Sequence, residues 1–104
     1  MFGLGVKTVS TEELARRIEQ DKPVVIDVRE PDEFAQGHVP SAVNVPLAQL
    51  ASRLGTFDPH AETFVICEHG RRSVTAVRLL DRVGFDRAYS VKGGTSAWHG
   101  RLAK

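Results

Sequence analysis

Thr63-Phe64-Val65-Ile66-Cys67-Glu68-His69-Gly70-Arg71-Arg72-Ser73 reads as a strand handed over to a helix. The short apolar run up to Ile66 has the length and residue types of a buried strand. It ends at Cys67, the only cysteine of the chain. A polar loop with one glycine and two arginines follows. From Ser73 the positions Val74, Val77 and Leu80, joined by Ala76, Leu79 and Val83, recur at helical spacing up to Gly84. A strand that stops at a thiol just before a helix N-terminus aims backbone N–H groups at one point. Such a point binds anions and favours a thiolate over a thiol. The stretch therefore predicts a sulfur anion in a cradle of N–H donors, and an enzyme that carries something on sulfur.

The flanking sequence repeats the strand-then-helix alternation. Ser10-Thr11-Glu12-Glu13 is a capping-box pattern with Ser10 as N-cap, and Leu14 and Ile18 carry a helix to about Gln20. Val24 to Val28 is a continuous apolar strand, of the kind covered on both faces. Pro31 opens a helical turn that closes at Gly37, and Ala42 to Val45 is a short strand. Leu47, Leu50 and Leu54 mark a third helix ending at Gly55, and Ala88 to Val91 is the last strand before a helical turn from Thr95. Such alternation predicts an α/β domain with a mainly parallel sheet. Ligands of such sheets bind beyond the carboxyl ends of the strands, so Asp27 and Cys67 are expected on one rim.

The 104 residues predict one domain, 41% hydrophobic and 26% charged, with a net charge of +1. Basic and acidic residues are interleaved, which argues against nucleic acid as a partner. No apolar run approaches the roughly 18 residues of a membrane span. Met1 to Lys7 lacks the pattern of a secretory leader, and Gly3-Leu4-Gly5-Val6 is too short for a dinucleotide loop. One cysteine and four scattered histidines make no metal set and no internal disulfide. A lone thiol that must stay reduced suits the cytoplasm.

Three motifs, in order, resemble the rhodanese-like family. Asp27-Val28-Arg29-Glu30-Pro31-Asp32-Glu33-Phe34 with Gly37-His38-Val39-Pro40-Ser41-Ala42-Val43-Asn44-Val45-Pro46-Leu47 resembles its entry signature. Cys67 to Ser73 resembles its active-site loop, and Gly93-Gly94-Thr95-Ser96-Ala97-Trp98 its closing motif. The resemblance implies a three-layer sandwich, a parallel five-stranded sheet flanked by helices, over residues 1–104 with a core at about 9–100. It implies a single-domain sulfurtransferase with no metal and no organic cofactor. Sulfane sulfur would pass from a donor such as thiosulfate to Cys67, and from its persulfide to cyanide or a thiol. A sulfur carrier, loaded by one protein and unloaded by another, needs the same loop and is the alternative reading. Phosphatases of this fold have five residues between cysteine and arginine. The four between Cys67 and Arg72 favour sulfur.

Around the catalytic Cys67, the residues Glu68, His69, Gly70, Arg71, Arg72 and Ser73 are expected to bind substrate. Arg72 orders the loop or holds the charged end of the donor, while Arg71 points outward and steers anions. Gly70 supplies a backbone angle closed to other residues. Ser73 is read as the N-cap of the following helix. His69 is read as facing solvent rather than as a base. Glu68 departs from the family pattern, since its carboxylate would oppose an anionic donor and disfavour a thiolate. Asp27 and Arg29 are expected to form a salt bridge that holds the loops in shape, and Trp98 to pack in the core.

Overall fold

The computed structural model describes residues 5–104, in which five strands form one parallel sheet of order β1-β5-β4-β2-β3. Met1–Leu4 lie outside the described residues, and with them most of the stretch on which the leader and dinucleotide-loop readings rest. In chain order the elements are β1 (Thr8–Val9), α1 (Thr11–Asp21), β2 (Val24–Asp27), α2 (Pro31–Gln36) and β3 (Val43–Asn44). Then follow α3 (Leu50–Arg53), β4 (Thr63–Ile66), α4 (Arg72–Arg82) and β5 (Ala88–Val91).

Alternate residues of the central strands enter two separate cores. Ile26, Val28, Val65, Cys67 and Ala88 face Leu50 of α3 and Ala76, Val77 and Leu80 of α4. Val25, Phe64, Ile66 and Val91 face Leu14 of α1, with Trp98 packed at the margin. This is the three-layer sandwich that the family resemblance implies, built on the parallel α/β sheet read from the alternation. It explains why β2 and β4 read as unbroken apolar runs: both of their faces are covered.

Several local readings are corrected. The capping box of α1 is half made: Ser10 Oγ accepts from the Glu13 N–H at 3.0 Å, but the Glu13 carboxylate pairs with Arg16. The third helix is broken into a 3₁₀ turn (Leu47–Gln49), the single turn α3, and a second 3₁₀ turn (Leu54–Thr56). Leu50 is the only fully buried side chain of that stretch, and one anchor does not hold three turns in register. β1 escapes local reading because two residues carry no alternation. Its place is set by pairing with β5, Thr8 beside Ser90 and Val9 beside Val91. β3 shrinks to two residues because it is the sheet edge, where Val43 is 46% exposed.

The end of α4 is as expected. Gly84, with φ +105°, donates to Asp81 O, and Phe85 N–H reaches back to Leu80 O at 2.9 Å. That is the paired-bond helix stop a glycine favours.

Candidate active site

β2 and β4 are neighbours with Asp27 opposite Ile66, so the loops after both strands emerge on one rim. Cys67 follows β4 directly. Its sulfur accepts the backbone N–H of Gly70 at 3.1 Å and of Ser73 at 3.3 Å. Among the described residues, the N–H groups of Glu68, His69 and Arg71 find no protein acceptor. The chain thus curls round the sulfur with donors to spare. Gly70 holds φ +96°, and a Cβ there would lie 3.1 Å from Gly93 N, so both conformation and space call for glycine.

What holds the loop in this curl comes from the turn after β5. Thr95 N–H donates to Cys67 O at 2.8 Å and Ser96 N–H to Glu68 O at 3.0 Å. The loop's first two carbonyls are drawn away from the sulfur, which leaves the N–H groups on the inside. Gly94 lets the two turns approach, with φ +63° and ψ −158°.

Ser73 is not an N-cap. α4 begins at Arg72, with Arg71 in the N-cap position and no side-chain cap. The Ser73 N–H, one of the unpaired first-turn donors, goes to the sulfur instead. Its hydroxyl is buried 3.6 Å from Cys67 Sγ and 2.7 Å from Ser90 Oγ. Ser90, on β5 and 1% exposed, has no sequence signal; a serine in a strand beside Val91 reads as filler. Either hydroxyl of the Ser73–Ser90 pair can donate to the other, and Ser73 Oγ lies within reach of the sulfur.

Glu68 does not confront the sulfur site as an unpaired charge. Its carboxylate accepts from Arg29 Nη1 at 3.0 Å, which answers the electrostatic objection raised by its sequence position. Arg29 is itself buried. Its Nε and Nη2 meet the Asp27 carboxylate at 2.9–3.1 Å, and Nη2 also reaches Gly37 O at 2.8 Å. The expected Asp27–Arg29 bridge is therefore present, and it extends across the rim to the cysteine loop.

Arg72 is likewise committed. Its guanidinium forms a two-pronged pair with Glu33 at 2.8 and 3.0 Å, fastening the start of α4 to α2. The ordering role expected of Arg72 fits this geometry, and its Nε–H and a second N–H on each Nη have no protein acceptor among the described residues. His69 is exposed with Nδ1 3.2 Å from Ser96 Oγ, and Arg71 is exposed. His38 stacks on Phe34 with centroids 3.6 Å apart and bonds Phe34 O, a structural use.

The Arg72 bonds, aided by the Glu30 N–H, hold the Glu33 carboxyl at about 2, well below its ordinary 4.5. A depressed carboxylate stabilises the fold fully above its unfolded value and loses that contribution as pH falls from 4.5 through 2. With Glu33 34% exposed, solvent screening reduces the contribution to about 1 kcal/mol. Parent and Glu33→Gln are therefore expected to differ by about that much in urea unfolding at pH 7, and to converge near pH 2. A gap independent of pH would mean that the pair does not fasten α4.

A buried thiol capped by N–H donors at the carboxyl ends of parallel strands defines a thiol-based transfer or anion-binding domain. The rhodanese-like domain family matches residues 10–101, and the chain belongs to that family. It is 38% identical over 96 residues to "Putative sulfurtransferase YtwF" of Bacillus subtilis (strain 168), covering 91% of this chain and 92% of that protein. It is 30% identical to "Putative sulfur carrier protein YrkF" of the same organism, over 92% of this chain but 52% of that protein, so it spans about half of that relative. Its structure resembles the crystal structure of a rhodanese-like domain protein from Staphylococcus aureus. That match has a TM-score of 0.85 and 34% identity, over 94% of this chain and 97% of that one.

Proposed function

We propose that the protein is a sulfurtransferase that works through a persulfide on Cys67. The observation that carries the reading is the pair of N–H bonds from Gly70 and Ser73 to Sγ, beside further N–H groups without acceptors. In the first step the Cys67 thiolate attacks the outer sulfur of thiosulfate. An S–S bond forms to Cys67, the S–S bond of the donor breaks, and sulfite leaves with the electron pair. The persulfide carries its charge on the new outer sulfur, where the unused N–H groups are available to it. In the second step cyanide or a thiolate attacks that outer sulfur and the Cys67 thiolate is restored. No base is needed, which agrees with His69 facing solvent. Cys67 is 1% exposed, so donor and acceptor must reach the sulfur through the mouth of its loop.

The kinship with a protein named as a sulfur carrier supports a second reading. There the same persulfide is loaded and unloaded by proteins, with little turnover of small molecules. Both readings place the lone thiol in a reducing compartment, the cytoplasm. Intact-mass measurement after thiosulfate treatment tests the shared chemistry. The expected result is a gain of one sulfur atom per chain, removed by cyanide; an unchanged mass would rule out thiosulfate as donor, and steady-state turnover then separates enzyme from carrier.

A further inference from the structure

Two arginines near the cysteine loop remain without a task. Among the described residues, Arg71 and Arg78 pair with no carboxylate, whereas Arg29 pairs with Asp27 and Glu68 and Arg72 pairs with Glu33. Both are exposed, Arg71 at the N-cap of α4 and Arg78 within it, together with Thr75. Arg78 lies seven positions after Arg71, two helical turns or about 10 Å along the helix axis. A shallow depression of about 450 Å³ runs along this face, lined by Gly70, Arg71, Arg72, Val74, Thr75 and Arg78. It starts at the cysteine loop. It ends where a neighbouring hollow beyond Arg78 takes in Asp81 and Arg82.

We propose that this strip docks an acidic, extended segment of a protein whose thiol accepts sulfur from Cys67. The proposal rests on the persulfide chemistry above and names the acceptor class for the same site. The geometry selects the occupant. Thiosulfate or phosphate fills little of a depression of about 450 Å³, whereas about three residues of extended chain follow the roughly 10 Å of helix from Arg71 to Arg78. A thiol held at the loop mouth thus brings a carboxylate next to it against Arg71 and one about three residues on against Arg78. Half-buried Val74 lies between as an apolar contact. Beyond Arg78 the charges are mixed, Asp81 with Arg82, so the purely basic strip is short. Nucleic acid is disfavoured because the basic strip is small and the net charge is only +1.

The test uses the full chain loaded with sulfur by thiosulfate. Single-turnover loss of that sulfur is followed by mass for three probes: a peptide thiol with glutamates at the first and fourth positions after its cysteine, and the same peptide with glutamines or with lysines. At low salt the glutamate peptide is expected to react about fivefold faster than the glutamine one, an effect of exposed ion pairs that about 0.5 M salt removes. In Arg78→Glu the three peptides are expected to react at similar rates, because attraction at Arg71 is offset by repulsion at position 78, while transfer to uncharged 2-mercaptoethanol stays at the parent rate. Equal rates for the three peptides in the parent would overturn the strip, as would a single-stranded oligonucleotide competing better than the glutamate peptide. A loaded protein that serves 2-mercaptoethanol but shows no charge preference defeats only this inference. A protein that takes up no sulfur defeats this inference and the persulfide reading together.

Discussion

Cys67→Ser is expected to take up no sulfur from thiosulfate and to show no detectable transfer to cyanide or to a thiol, while folding as the parent does. No other thiol exists in the chain to replace it. A serine hydroxyl is a far weaker nucleophile near neutral pH and holds no stable sulfur adduct. The fold should survive because serine fits the same volume and its oxygen can accept the same Gly70 and Ser73 N–H groups. Losing a buried sulfur from the core beside Val28 and Val65 should cost about 1 kcal/mol. For a domain of this size that lowers the melting temperature by roughly 4–8 °C. Intact mass, turnover and a thermal melt read all three effects. Turnover near the parent level would remove Cys67 from the mechanism altogether.

Gly94→Ala is expected to slow sulfur loading about a hundredfold without unfolding the protein, a rate loss typical of reacting groups misplaced by about 1 Å. The added Cβ would lie 2.3 Å from Cys67 O and 2.6 Å from both C and O of Glu68. These are backbone atoms and cannot swing aside. The loop must retreat, and the donors aimed at the sulfur retreat with it. The backbone at φ +63°, ψ −158° is also open to little but glycine, which adds roughly 1–3 kcal/mol of strain. Gly84→Ala is the control. Gly84 also has positive φ, +105°, but its Cβ would meet nothing within 4 Å. It should cost stability and leave loading unchanged. Equal losses of loading in the two variants would show that strain alone, and not the position of the loop, governs the rate.

The position of the sulfur was legible in the chain because its signals are local. An apolar strand of four residues, a glycine and a helix period lie within one short stretch, and backbone geometry alone directs their N–H groups to one point. The same locality made Gly84 readable as a helix stop. The errors fall where a side chain has two local uses and a distant partner chooses. Ser73 could cap α4 by sequence; the buried Ser90 hydroxyl and the sulfur claim it instead. Glu68 could repel a donor; Arg29, across the rim from β2, pairs with it.

By itself, the sequence determined the alternation of strands and helices, the parallel sheet with both faces covered, the rim shared by Asp27 and Cys67, and the thiol at the loop. Each follows from periodicity and residue type over a few consecutive positions. Only the tertiary structure decided which charges are spent and which stay free. It joined Asp27, Arg29 and Glu68 into one bridge, turned the Cys67 and Glu68 carbonyls onto Thr95 and Ser96, and left Arg71 and Arg78 exposed along α4. Ion pairs and hydrogen bonds act over a few ångströms in space, and the chain brings those partners together only after the sheet has ordered β5, β4 and β2 side by side.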